Sequence, residues 1–345
     1  MEKMVDTYTS TGAKYLLHED RLQTIIDGNP RPISLQIAPT NRCNLRCVFC
    51  SVEDRDRNLE FDFEELKTAI SIFKDLGIKT VEISGGGEPT MYPKLNELVL
   101  WCKKQDLEIA MITNGLKLQE IPKEVLEAFT WIRVSMVGLD YYEEDKIKFP
   151  NPWPKNVSLG MSYVLGQLPY LDNDWLKKHK NLKVEDTIIL LKRLKDIALK
   201  VGAEMVRCVP ECFAEESDMI KLHDMWAPII TEIGHPLFFQ FKRQKQAEYC
   251  WIDCLKPWLH CDGLVYPCNS VSLHNPKYRD FNRIYSISHW RNIETYYLCR
   301  GNESIPWVKK LCKRCTFTEN NDMLFNYMNG LRKSFDIVTK HKNFV

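Results

Sequence analysis

The feature that most restricts how this chain can fold is a rhythm: from residue 33 to about 210, short apolar runs alternate with amphipathic helical stretches. Repeated βα units wound around a parallel sheet produce that alternation. The predicted strands are 33–37, 80–83, 108–113, 132–136, 157–163 and 204–209. Six are too few to close an eight-stranded barrel, so the spacing predicts an open, partial (β/α)6 barrel of the α/β class. After the first strand, Phe63, Leu66, Ile70 and Phe73 fall on one helical face, Asp62 with Glu65 forms a capping box, and Gly77 ends the run. A second helix over 93–104 carries Leu95, Leu98, Val99 and Cys102 at helical spacing, which makes Cys102 a core residue.

Past residue 235 the rhythm stops, and the chain is irregular and rich in cysteine and aromatics until a final helical segment over 322–339. The expected organisation is an N-terminal extension (1–29), the partial barrel (30–235), a small cysteine-rich α+β domain (236–320) and a C-terminal helix (321–345). A net charge of +1 argues against a chain built to coat nucleic acid or an anionic membrane. The longest uncharged stretch, 156–171, is too short and too interrupted by glycine and proline to span a bilayer, and no N-terminal segment reads as a signal peptide. A cytoplasmic protein with no membrane partner is expected.

Thirteen cysteines, an odd number without a secretion signal, point away from a disulfide framework and toward metal or redox chemistry. Cys43, Cys47 and Cys50 follow the first predicted strand at Cys-x3-Cys-x2-Cys spacing. Loops at the C-terminal ends of parallel strands are where such folds keep their chemistry. Three thiolates on a four-iron cubane leave one iron without a protein ligand, open to a cofactor or substrate. A zinc site completed by a histidine is the alternative.

This segment, with the aromatic Phe49 before its last cysteine, resembles the signature of the radical S-adenosylmethionine (radical SAM) superfamily. Further matches follow in the expected order: Gly86-Gly87-Glu88-Pro89 after the second strand, the turn Thr113-Asn114-Gly115 after the third, Ser135 on the fourth and Arg207 on the last. The resemblance covers about residues 30–215 and implies a catalytic [4Fe–4S] cluster on Cys43, Cys47 and Cys50. It further implies SAM contacts from Phe49, Gly86, Gly87, Glu88, Asn114, Ser135 and Arg207, with Glu88 holding the methionine ammonium. The residue types agree locally, since glycines admit a ligand close to the backbone and a carboxylate suits an ammonium.

Seven more cysteines lie between 250 and 315. Asp262-Gly263 is a favoured hairpin turn, and the short apolar strand after it delivers Cys268; farther on, Cys312 and Cys315 form a Cys-x2-Cys pair. This pattern resembles the twitch domain, the shortened form of the SPASM auxiliary-cluster domain. The resemblance implies a second [4Fe–4S] cluster on Cys250, Cys268, Cys312 and Cys315, because Cys250 and not Cys254 has the right spacing to Gly263. Cys254, Cys261 and Cys299 have no place in such a site, and four-cysteine zinc is the alternative here too.

By the same resemblance, the expected reaction is reductive cleavage of SAM to a 5′-deoxyadenosyl radical, which abstracts hydrogen from a substrate carbon. A flavodoxin- or ferredoxin-type donor would supply the electron, and the auxiliary cluster would act as a relay. The expected substrate is a small molecule such as a sugar, cyclitol or nucleotide. Peptide and nucleic-acid substrates are secondary readings: about thirty residues precede the first strand, fewer than a leader-binding domain needs, and the basic runs 242–245 and 309–314 read as solvated faces. Cyclases of molybdenum-cofactor synthesis, which share the twitch domain, usually end in Gly-Gly, whereas this chain ends in Lys342-Asn343-Phe344-Val345. No catalytic acid or base is identified. Alternation turns Cys208 toward the helices if Arg207 faces the cavity, while Cys212 lies beyond the strand end, within reach of the active site. A two-cluster electron-transfer or redox-sensing protein is the competing class, and it would not need Gly86-Gly87-Glu88.

Overall fold

Each of the six apolar runs becomes a strand in the computed structural model, which describes residues 2–5, 13–47, 49–136, 147–165, 184–241, 244–274, 283–331 and 335–345. The strands are β1 (Glu2–Val5), β2 (Ser34–Ala38), β3 (Thr80–Ile83), β4 (Glu108–Thr113), β5 (Trp131–Ser135) and β6 (Ser158–Leu165). They continue with β7 (Met205–Pro210), β8 (Leu237–Phe239), β9 (Trp258–His260), β10 (Leu264–Tyr266), β11 (Ser288–His289) and β12 (Phe335–Val338). From β2 to β8 each strand pairs in parallel with the next. The edge strand β8 is an addition to the six expected; three residues show too little alternation to be read from sequence.

Strand alternation gives the curved sheet two different faces. Outward, Ile37, Val81, Met111, Val134, Met161 and Cys208 are buried under the helices, together with Leu66 and Phe73 of helix Phe63–Leu76, Cys102, and Trp226 of helix Glu216–Ile233. Inward lie polar residues, among them Gln36, Glu82, Arg133, Ser162 and Arg207. Helix Phe63–Leu76 starts as expected, with Asp62 Oδ1 accepting from the Glu65 amide at 3.0 Å. The reciprocal half of the box is absent, because the Glu65 carboxylate pairs with Arg291 instead.

The strands of the cysteine-rich region extend the barrel's own sheet: β9 pairs in parallel with β2, and one ten-stranded sheet runs β11-β10-β9-β2-β3-β4-β5-β6-β7-β8. The edge of β2 would otherwise be open, and an unpaired edge is a liability that an added strand removes. The C-terminal segment is not helical to residue 339. Its helix, Thr318–Met328, ends where the Asn329 side chain donates to the Phe325 carbonyl at 2.7 Å and Gly330 follows. The Phe335–Val338 stretch is β12, parallel to β1, in keeping with its β-branched Ile337 and Val338.

Residues 341–345 close the base of the barrel. Phe344 is buried edge-on against Trp131 at 5.4 Å, His341 meets the Ser158 hydroxyl at 3.0 Å, and Asn343 donates to Glu108 at 2.6 Å. Lys14, itself fully buried, donates to the Phe344 carbonyl at 3.3 Å. Among the described residues no helix is long and apolar enough to cross a membrane. We predict that Phe344→Ala costs about 3–5 kcal/mol in chemical denaturation, since it empties a buried aromatic site. Asp62→Ala should cost about 1 kcal/mol, the value of one helix cap.

Candidate functional site

The loop after β2 and the turn after β3 meet backbone to backbone. The Gly87 amide donates to the Thr40 carbonyl at 2.8 Å, and the Glu88 amide donates to the Arg42 carbonyl at 2.7 Å. A Cβ on residue 87 would lie 2.0 Å from the Arg42 carbonyl oxygen, so only glycine fits there. Gly86 has φ +64°, and its added Cβ would come within 2.7 Å of Asn41 Oδ1. The same Asn41 oxygen lies 3.0 Å from Nε2 of His260 on β9, whose Nδ1 is 3.1 Å from Asp262. The hairpin of the cysteine-rich region thus braces the loop that carries Cys43, Cys47 and Cys50.

These three thiols are partly exposed. Burial, reinforced by the neighbouring Cys50 and Cys43 sulfurs, pushes Cys47 up to about 12; burial likewise raises Cys43. Such a set resists ionisation unless a cation joins it.

Glu88 is 4% exposed, and its carboxylate is filled by protein donors. Oε1 accepts from Thr113 Oγ1 at 2.5 Å, Thr90 Oγ1 at 2.8 Å and the Thr90 amide at 3.1 Å, while Oε2 accepts from the Asn114 amide at 2.7 Å. A carboxylate has about four acceptor positions, so at most a minor share remains for a ligand. Burial raises the Glu88 pKa, and these hydrogen bonds oppose the rise. Asn114 in turn donates through Nδ2 to Asn44 Oδ1 at 2.7 Å, between Cys43 and Cys47 in the chain. Glu88 and Asn114 therefore tie three loops together.

Across the sheet, Ser135 of β5, Ser162 of β6 and Arg207 of β7 stand in lateral register on the inner face. Ser162 joins this row through the pairing of β5 with β6, which sequence reasoning did not reach. Arg207 Nη1 donates to Gln240 at 3.0 Å, and Cys208 packs outward among the helices.

In the cysteine-rich region, Cys315 and Lys245 exchange backbone hydrogen bonds at 2.7 and 3.3 Å, and the Ala247 amide donates to the Cys312 carbonyl at 3.0 Å. That pairing brings segment 245–250 beside 312–315. Burial raises all four of Cys250, Cys268, Cys312 and Cys315, the last two to about 12 and about 11. Cys268 and Cys315 add to the rise at Cys250, whereas the charged groups acting on Cys254 are Asp253 and Arg300. Cys254 is buried in the same core cluster as Cys250, Cys312 and Cys315, Cys261 is buried and Cys299 is exposed.

Beside the two cysteine-bearing segments lies a cavity of about 220 Å³, none of whose walls is a cysteine of either set. Ser51, Asn269 and Thr316, the chain neighbours of Cys50, Cys268 and Cys315, all line it. Its other polar walls are Arg207, Cys212, Gln244, Ser270 and Ser272. Cys212 Sγ sits 3.6 Å from the Phe49 carbonyl, at the edge of the first loop. A larger groove of about 960 Å³ runs outside the sheet along helix Val184–Val201, but no cysteine lines it. Of the two basic runs, Lys242 and Arg243 lie outside the described residues, and Lys309 is an exposed partner of Glu248.

Comparison with known proteins agrees with this geometry. The GTP 3′,8-cyclase of Clostridium botulinum is 25% identical over 281 residues, 73% of this chain and 85% of that protein. The probable GTP 3′,8-cyclase of Methanococcus maripaludis is 23% identical over 305 residues, 80% of this chain and 96% of that one. Among solved structures, Streptococcus suis SuiB bound to its precursor peptide SuiA superposes with a TM-score of 0.51 at 15% identity, over 95% of this chain and 79% of that one, a likeness of fold alone. Residues 37–206 match the Radical SAM superfamily, whose members bind SAM and a [4Fe–4S] cluster, and the chain is an enzyme of that superfamily.

Proposed function

We propose that this enzyme oxidises or rearranges a small polar molecule held between a catalytic [4Fe–4S] cluster on Cys43, Cys47 and Cys50 and an auxiliary one on Cys250, Cys268, Cys312 and Cys315. The observation that carries this reading is the cavity lined by chain neighbours of both thiol sets. Its hydroxyl and amide walls with one guanidinium suit a polyhydroxylated or anionic compound. At about 220 Å³ it is smaller than the roughly 300–1,000 Å³ typical of ligand pockets, which favours an occupant of sugar or cyclitol size. The names of the relatives favour a second reading, GTP, for which Arg207 would meet a phosphate.

The thiol sets fit iron–sulfur clusters by their chemistry: Cys47 and Cys268, whose pKa is raised by burial and by neighbouring cysteines, are ligands that a cationic centre converts to thiolates. In the proposed SAM cleft, Phe49, Gly86 and Gly87 lie on the cluster side with Ser135 and Arg207 across from them, while Glu88 and Asn114 hold the loops in place. When bound, SAM and the two clusters supply hydrogen abstraction by a 5′-deoxyadenosyl radical and an acceptor for the substrate's second electron. The protein's own part is to orient the substrate and exclude water.

We predict about eight irons per chain after anaerobic reconstitution, halved by replacing Cys43, Cys47 and Cys50 together; stoichiometric zinc would contradict the assignment. Glu88→Gln sets an amide nitrogen against either the Asn114 or the Thr90 backbone amide, and an unmatched buried donor costs about 1–3 kcal/mol. Isothermal titration should therefore show SAM affinity reduced roughly tenfold or more with iron content unchanged. Cys315→Ala, folded and retaining the first cluster, should still release 5′-deoxyadenosine from SAM but lose oxidised product. Unchanged product would remove the relay role, and turnover of GTP by the wild type would select the second reading.

A further inference from the structure

Arg55, five residues past Cys50, is 5% exposed and lies against the loop of the first thiol set. Its Nη1 donates to the Val52 carbonyl at 2.6 Å and approaches Cys50 Sγ at 3.6 Å, while Nε donates to the Asn41 carbonyl at 2.9 Å. One planar guanidinium therefore spans the two ends of the loop, Asn41 before Cys43 and Val52 after Cys50. Its neighbour Arg57 also reaches this loop, donating to the Leu45 carbonyl at 3.1 Å while bonding both oxygens of Glu53 at 3.2 and 3.3 Å, but of the two only Arg55 approaches a cysteine sulfur among the described contacts. Nothing in the Cys-x3-Cys-x2-Cys spacing calls for an arginine at position 55.

A hydrogen bond to a ligand sulfur and a nearby positive charge both favour the more negative state of an iron–sulfur cluster. Arginine suits the task because it stays charged when buried and its fork keeps a fixed geometry while serving several acceptors. We propose that Arg55 is a positioning residue for the catalytic cluster, donating to the Cys50 sulfur and favouring the cluster's one-electron reduced state. The proposal rests on the assignment of that cluster to Cys43, Cys47 and Cys50. The electron comes from a flavodoxin- or ferredoxin-type donor, and no proton or covalent bond changes hands.

The test is an EPR-monitored redox titration of the reconstituted full-length protein. The catalytic signal is identified as the one missing when Cys43, Cys47 and Cys50 are all replaced. Arg55→Met should keep its iron and shift the reduction equilibrium at least tenfold toward the oxidised state, 59 mV more negative for one electron. Arg55→Lys, which retains the charge but not the fork, should shift it by less than half as much. An unchanged potential in a fully loaded Arg55→Met protein overturns the proposal, as does an equal shift in Arg55→Lys. If Arg55→Met loses its cluster, Arg55→Gln, neutral but still able to donate to Val52, decides: a tenfold shift supports the proposal and an unchanged potential overturns it. A wild-type protein with no cluster dependent on Cys43, Cys47 and Cys50 overturns the underlying assignment, a different failure that takes the proposal with it.

Discussion

The site depends on one close approach, the contact between the backbone at residues 40–42 and the backbone at 86–88. Two hydrogen bonds, at 2.8 and 2.7 Å, join the loop of Cys43, Cys47 and Cys50 to the glycine turn. A side chain at residue 87 would collide with the Arg42 carbonyl, so the junction exists only because that residue is glycine. Everything around it reinforces the contact. Glu88 gathers Thr90, Thr113 and Asn114, Asn114 reaches back to Asn44, and His260 presses on Asn41 from the cysteine-rich side. A proposed cluster site and a proposed SAM cleft thus form a single preorganised unit, which keeps the reacting groups from having to find one another by loop motion.

The sheet supplies the frame for this unit. Its outer face is conventional apolar packing, and its inner face is polar enough to hold a charged ligand, with the Glu82–Lys256 pair at 2.8 Å neutralising part of the interior. The base is closed by Phe344 on Trp131 and the open edge of β2 is covered by β9. The chemistry is thereby left to the C-terminal ends of the strands. Because β9 joins the cysteine-rich region to the barrel through the same sheet, His260 at the end of β9 is held against Asn41 of the first cysteine loop.

How much of this was legible in the sequence follows from the range of the interactions involved. The barrel strands were readable because each is an apolar run set off by a helix or loop of its own. By contrast β8, β9 and β11 have three, three and two residues, too few to carry a period. The cysteines of the first loop were readable because their partners are neighbours in the chain. The preference for Cys250 over Cys254 rested on spacing alone, and both thiols are buried in one core cluster. Residues whose meaning comes from distant segments were not readable. Ser162 stands beside Ser135 only through the register of β5 and β6, His260 meets a residue 219 positions away in sequence, and the Glu88 carboxylate takes donors from the distant segment of Thr113 and Asn114 as well as from nearby Thr90. The helix expected to reach residue 339 failed for a local reason, since the Asn329-Gly330 stop outweighs the apolar residues beyond it.

The central claim is that the glycine junction brings SAM to the cluster of Cys43, Cys47 and Cys50. Pulsed electron-nuclear double resonance on the reduced protein, with SAM labelled with 15N at its amino group, tests it most directly. The account predicts 15N coupling to that cluster in the wild type. In Gly87→Val, where the added side chain forces the two backbones apart, the coupling should be lost while the signal of the second cluster persists. Absence of coupling in the wild type, or its survival unchanged in Gly87→Val, would contradict the account.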